Sequence, residues 1–154
     1  MSTRLVRVLQ GVPGSGKSTY AQQLVAKNPP CSVVVVSADD YFVKDGVYVF
    51  DPTKIGEAHA TALRAFVMLI EQGRMAGALT VVVDNTNIRL WEMSPYVALA
   101  KAYGWPVEFD TFKVDPLLAH ARNAHGVPLP VVQRMAAEME NPLPFWGGHV
   151  VHES

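Results

Sequence analysis

The sequence predicts an α/β fold: a parallel β-sheet of about four strands, with helices on both faces and a helical lid. Three observations predict it. Short runs of β-branched residues, Ser32–Ser37 (SVVVVS) and Ala78–Asp84 (ALTVVVD), read as strands buried on both faces, as parallel strands are. Segments of helical spacing alternate with them, which is the pattern of a parallel sheet with crossover helices. A glycine-rich stretch, Gly11-Val-Pro13-Gly14-Ser15-Gly16-Lys17-Ser18, joins the first strand to the first helix.

That stretch is the G-x-x-x-x-G-K-[ST] phosphate loop, or Walker A motif. Arg4–Gln10 before it reads as a strand, and Thr19–Lys27 after it as a helix. Glycines at 11, 14 and 16 let successive N–H groups turn inward around a phosphate chain. The helix N-terminus adds unpaired N–H groups and partial positive charge. Gly11, Pro13, Gly14, Ser15, Gly16, Lys17, Ser18 and Thr19 are thus the expected ATP-binding residues. Lys17 is expected on the β- and γ-phosphates and the Ser18 hydroxyl on Mg²⁺.

The bulk composition narrows the rest. A chain of 154 residues is one domain by size, and 49% hydrophobic residues with 18% charged ones argue against disorder. Lys+Arg total 13 against Asp+Glu 14, so the strongly basic footprint of a nucleic-acid binder is absent. Any grip on a polynucleotide must be local. The single Cys31 excludes an internal disulfide and suits a reducing compartment, the cytoplasm. No run is long enough to span a membrane, and the N-terminus has no signal-peptide pattern.

Taken in order, Pro29-Pro30 ends the first helix and the valine strand ends at Asp39-Asp40-Tyr41. Ligands of open α/β sheets sit beyond the carboxyl ends of strands. One of Asp39 and Asp40 is therefore the expected general base, with the rest of the segment, Tyr41 and Phe42 included, beside the acceptor. Phe42–Lys54 reads as a loop with a hairpin around Asp45-Gly46. Its rings (Tyr41, Phe42, Tyr48, Phe50) either stack on a base or form a satellite core. A helix follows over 55–72, its buried face read as Ile55, Ala58, His59, Ala62, Leu63, Phe66, Val67 and Ile70.

Asp84, at the end of the next strand, takes the place of a Walker B carboxylate on Mg²⁺. Asn85 and Asn87 read as loop and capping residues. Residues 89–103 are helical, with a break expected at Ser94-Pro95, and Trp105–Val114 is the fourth strand, with a proline near its start that suits an edge. A helix over 116–123 and another to about Glu140 occupy the place of a lid. Arg122, His125 and Arg134 are its candidate phosphate- or substrate-binding residues. Residues 141–154 show no periodicity and read as a tail, so the kinase-like domain is expected at 1–140 with its lid at about 122–134. Within that tail, Phe145 and Trp146 are expected to pack on the body.

The ordered set of Gly11–Thr19, Ala26-Lys-Asn-Pro29, Asp39-Asp-Tyr41, Asp84-Asn-Thr-Asn87, Tyr103-Gly-Trp105 and Arg122-Asn123 resembles the 5′-hydroxyl polynucleotide kinase domain of bacteriophage enzymes. It is similar also to the kinase domain of the Nedd4-binding-protein-2 group. The resemblance implies an ATP- and Mg²⁺-dependent kinase with nucleic acid, DNA or RNA, as substrate. It assigns Lys17 and Ser18 to ATP and Mg²⁺, Asp39 to the base, and Arg122 to the phosphates.

Three positions depart from the phage pattern. Phe42 stands where an arginine grips the substrate's 3′-phosphate, His125 falls near a second lid arginine, and the strand-end acid is moved to Asp84. A kinase of hydroxymethylated pyrimidines in DNA, a small-molecule kinase and a non-catalytic ATP-binding module are the alternatives.

Overall fold

The computed structural model describes residues 3–73 and 77–154. The reading of the N-terminus as free of a signal pattern includes Met1 and Ser2, which lie outside the described residues.

Five parallel strands form the main sheet: β1 (Thr3–Gln10), β2 (Val33–Val36), β5 (Ala78–Asp84), β6 (Val107–Lys113) and β7 (Gly148–Glu153). Their order is β2-β5-β1-β6-β7. A two-stranded hairpin, β3 (Val43–Lys44) and β4 (Val47–Tyr48), stands apart. The helices are α1 (Lys17–Lys27), α2 (Ile55–Gly73), α3 (Leu90–Ala102), α4 (Pro116–Arg122) and α5 (Leu129–Glu138).

Strand alternation divides the core. Val6, Val8, Val81, Val83 and Phe109 meet Phe66 and Ile70 of α2 and Met93 and Val97 of α3 on one face. Leu9, Val82 and Phe112 meet Ala21 and Leu24 of α1 on the other. A third cluster joins the phosphate loop to the lid region: Val12 and Ile88 pack with Ala119 of α4 and Val132 of α5. Gln10, fully buried, ties these parts together. Its amide donates to the Asn87 and Glu140 carbonyls at 2.9 and 2.6 Å and accepts from Thr111 Oγ1 at 2.8 Å.

Several expectations are corrected. The sheet has five strands, not four, because the supposed tail supplies β7. Its histidines bond polar groups of the neighbouring strand and no apolar period marks it: His149 meets Thr111 at 2.7 Å and His152 meets Asp110 at 2.8 Å. Trp146 packs on Phe109 at 6.0 Å as expected, while Phe145 is 75% exposed. With β7 outside it, β6 is not an edge, and Pro106 precedes it, its carbonyl accepting from Val6 N at 2.9 Å.

The edges are instead β7 and β2, and in β2 only Val36 is buried, against the expectation of a strand buried on both faces. On α2, His59 and Ile55 are exposed rather than on the core face. Helix α3 runs unbroken through Pro95. The proline removes the N–H that would bond Trp91 O, and Ser94 Oγ donates to that carbonyl at 3.3 Å instead. Asn87 caps no helix; with φ +49° it donates to Leu9 O at 2.8 Å.

Candidate active site

The phosphate loop follows β1 directly. Gly14 and Gly16 take φ of +82° and +101°, which side chains resist. Gly11 is small for another reason: a Cβ there would lie 2.6 Å from Ser15 Oγ and 3.1 Å from the Phe112 carbonyl. The first turn of α1 has neither a side-chain cap nor an acidic residue, so its N–H groups remain for an anion. Ser15 is buried at the loop's base, Pro13 is half-buried, and Thr19 is exposed on α1.

Lys17 is 7% exposed and folds over this loop, its amine donating to Val12 O at 3.0 Å and reaching Ser15 Oγ at 3.4 Å. Burial lowers its pKa to about 8, against the opposing pull of the Asp84 and Asp39 charges. Ser18 Oγ donates to Asp84 Oδ2 at 2.9 Å. Burial pushes the Asp84 carboxyl above its ordinary range, while Lys17 and the Ser18 hydrogen bond pull it down. Two hard oxygen donors side by side at the phosphate loop, one an under-solvated carboxylate, fit a divalent cation such as Mg²⁺.

Asp39 stands at the carboxyl end of the edge strand. Its segment, a 3-10 turn over Ala38–Phe42, is capped by Ser37, whose Oγ accepts from Asp39 N at 3.2 Å. Asn85 braces the same segment from the neighbouring strand end, Oδ1 accepting from Ala38 N at 2.8 Å. A cavity of about 360 Å³ gathers Ser18, Gln22, Ser37, Asp39, Asp40, Tyr48, Asp84 and His125.

The expected site residues therefore divide. The cavity brings together Ser18, Asp39, Asp40, Asp84 and His125. Burial, then the Asp39 and Asp84 charges, push the Asp40 carboxyl up. Tyr41 lines a neighbouring groove between β2 and α2, its hydroxyl donating to Glu57 at 2.6 Å.

Phe42 is a correction: it is 5% exposed, a core residue in ring contact with Tyr41, Tyr48 and Phe50, and it lies outside the cavity's lining. Arg122 is exposed in the last turn of α4, whose backbone at Ala119 and Asn123 presses on Gly14. Arg134 is exposed on α5 and lies outside the cavity's lining. Sequence reasoning missed Ser37 as a cavity wall, and it placed Tyr48 only among rings that either stack on a base or form a satellite core. The Asp45-Gly46 turn was the available signal for Tyr48, which follows it by two residues.

The family described as AAA domain matches residues 6–142. The chain belongs to the AAA-domain family of P-loop proteins. Membership carries nucleotide binding with it, in keeping with the loop, Lys17 and Ser18. Human NEDD4-binding protein 2 is 41% identical over 136 residues, covering 83% of this chain. The chain spans only 7% of that protein's length.

Among solved structures, the Pnkp1/Rnl/Hen1 RNA repair complex matches at TM-score 0.69 and 17% identity, over 90% of this chain and 44% of that one. A sugar kinase from Janibacter sp. HTCC2649 matches at 0.63 and 21% identity, over 98% and 85%. Kti12 from Chaetomium thermophilum matches at 0.66 and 18%, over 96% and 88%. These likenesses establish the α/β P-loop kinase fold with its five-stranded parallel sheet. Among the described residues, no helix is long and apolar enough to cross a membrane.

Proposed function

We propose that this AAA-domain protein is an ATP-dependent kinase that transfers the γ-phosphoryl group to a hydroxyl of nucleic acid, foremost the 5′-OH end of DNA or RNA. One observation carries the reading. An exposed carboxylate, Asp39, shares a cavity with Ser18 and Asp84, beside the buried ammonium of Lys17. A non-catalytic nucleotide module has no use for that carboxylate. The name of one structural neighbour, a sugar kinase, supports phosphoryl transfer to an alcohol, and that of another, an RNA repair complex, supports nucleic acid as the acceptor.

Asp39 accepts the proton of the attacking hydroxyl as its oxygen bonds to the γ-phosphorus. The bond from that phosphorus to the β–γ bridging oxygen breaks, and ADP leaves with its electron pair. In a loose transition state the carboxylate chiefly aligns the nucleophile, so no raised basicity is required. Lys17 neutralises the β- and γ-phosphates from the loop side. Arg122, at the end of α4, screens charge from the lid side. Ser18 and Asp84 would hold Mg²⁺, which when bound supplies charge neutralisation to the phosphates. The single exposed Cys31 suits the reducing cytoplasm as the place of this activity.

Asp39→Ala is expected to bind ATP as the parent does and to lose transfer by roughly 10²–10⁴-fold. Titration with a fluorescent ATP analogue, beside transfer of labelled phosphate to a 5′-hydroxyl oligonucleotide, reads both. Transfer at the parent rate would refute the assignment. A small-molecule alcohol is the second reading, favoured by the burial of Phe42 where an acceptor-gripping arginine would stand. A panel of nucleosides, sugars, oligonucleotides and hydroxymethylated DNA separates the two, along with the modified-base alternative.

A further inference from the structure

The hairpin β3–β4 has no part in the mechanism above, yet it supplies a wall of the same cavity through Val43, Gly46 and Tyr48. Across from it stands His125, in the loop between α4 and α5. The Tyr48 and His125 ring centroids are 4.1 Å apart, their planes tilted by 37°. His125 Nε2 lies 3.6 Å from Asp39 Oδ2. Tyr48 and Asp39 line the same cavity, and the carboxylate's charge bears on the phenol. Phe42 and Phe50 back the tyrosine ring at 6.1 and 6.5 Å, so its position is set from the core.

The 3.6 Å separation is too long for a direct hydrogen bond. An oxygen placed about 2.8 Å from each of the two atoms closes a triangle over that gap, at ordinary hydrogen-bond distances. The gap is thus of a width that one bridging oxygen atom spans. Both sides of the gap adjoin Tyr48: its hydroxyl is near the carboxylate and its ring packs on the imidazole.

We propose that Tyr48 is a positioning residue, which with His125 forms the seat for the acceptor hydroxyl oxygen at Asp39. The inference rests on the reading of Asp39 as the base. It also gives the hairpin a purpose, as the fixed jaw against which the lid loop closes. The phenol is suited to the task. Burial, then the Asp39 charge, push its pKa to about 12, so it stays a donor and never competes for the acceptor's proton.

Tyr48→Phe keeps the ring and removes the hydroxyl. It is expected to leave the melting temperature and the ATP dissociation constant unchanged. The kcat for phosphorylating a 5′-hydroxyl oligodeoxynucleotide should fall about tenfold or more, the scale of a misplaced reacting group. ATP hydrolysis to water should persist, so the ratio of free phosphate to phosphorylated oligonucleotide rises. A residue that serves packing alone would not move that ratio.

His125→Ala should raise the ratio as well. The double variant should lose less than the product of the two single losses, since both act on one seat. Parent values of kcat and of the ratio in Tyr48→Phe, with Asp39→Ala inactive, would overturn this inference and leave the base assignment standing. Transfer surviving in Asp39→Ala would overturn both.

Discussion

A lysine ammonium taken out of water gives up stability unless something negative meets it, and Lys17 meets only the partial charge of the loop and two carboxylates nearby. Its pKa of about 8 records that shortfall. A triphosphate favours the charged form, so binding near pH 8 should draw in a proton, and affinity should fall as pH rises through that value. Calorimetry at pH 8 in buffers of different ionisation heats should give fractional proton uptake on ATP binding, shrinking toward zero at about pH 6.5. Equal heats in all buffers at pH 8 would contradict the shift. The sign for folding follows from the same shift. Between about pH 8 and the ordinary lysine value of 10.5, the unfolded chain holds the proton that the native one has lost. This residue's contribution therefore favours the native state increasingly as pH rises across that interval.

At the scale of elements, the phosphate loop and α4 are packed backbone to backbone. A Cβ on Gly14 would sit 1.9 Å from the Ala119 carbonyl oxygen, at a φ of +82°. Gly14→Ala should therefore push α4 from the loop and weaken ATP binding by tenfold or more, an effect of about 1.4 kcal/mol or greater. Binding titration checks it, and unchanged affinity would mean that the helix yields freely. The sequence made the loop, β1, β5, α2 and the hairpin legible because each carries a local signal: glycine spacing, valine runs, helical period, an Asp-Gly turn. It hid β7, whose histidines bond to Thr111 and Asp110 in place of an apolar face. It also misjudged β2, since a run of valines reads alike on an edge and in the middle of a sheet. Within the cavity, Asp39 and Asp84 were readable as acids at strand ends. Tyr48 was not, because its role arises only where the hairpin folds back on the 3-10 turn. Phe42 was misread for the same reason: two residues after Asp40 in sequence, it is buried in the core.

For the molecule as a whole, the far edge of the sheet is fastened by charge. Asp110, 1% exposed, receives Arg7 at 2.6 Å, His152 at 2.8 Å and Tyr20 at 3.2 Å. The group joins β1, α1, β6 and β7 around one carboxylate. Removing the buried carboxylate takes the partner from His152 and Tyr20 and leaves Arg7 with Glu108 alone, so Asp110→Ala should cost about 3 kcal/mol. Urea denaturation should show it as a lower midpoint, and a midpoint equal to the parent's would mean that the strand is held by packing alone. The two edges of the sheet thus differ in kind, one bolted by β7 and one left as four valines carrying Asp39 at the tip. The meeting of Gly14 with Ala119 has a mechanical result. No side chain cushions the contact, and Arg122 lies one helical turn further on. A shift of the cradle at Gly14 would therefore displace Ala119, and with it the stem of the arginine.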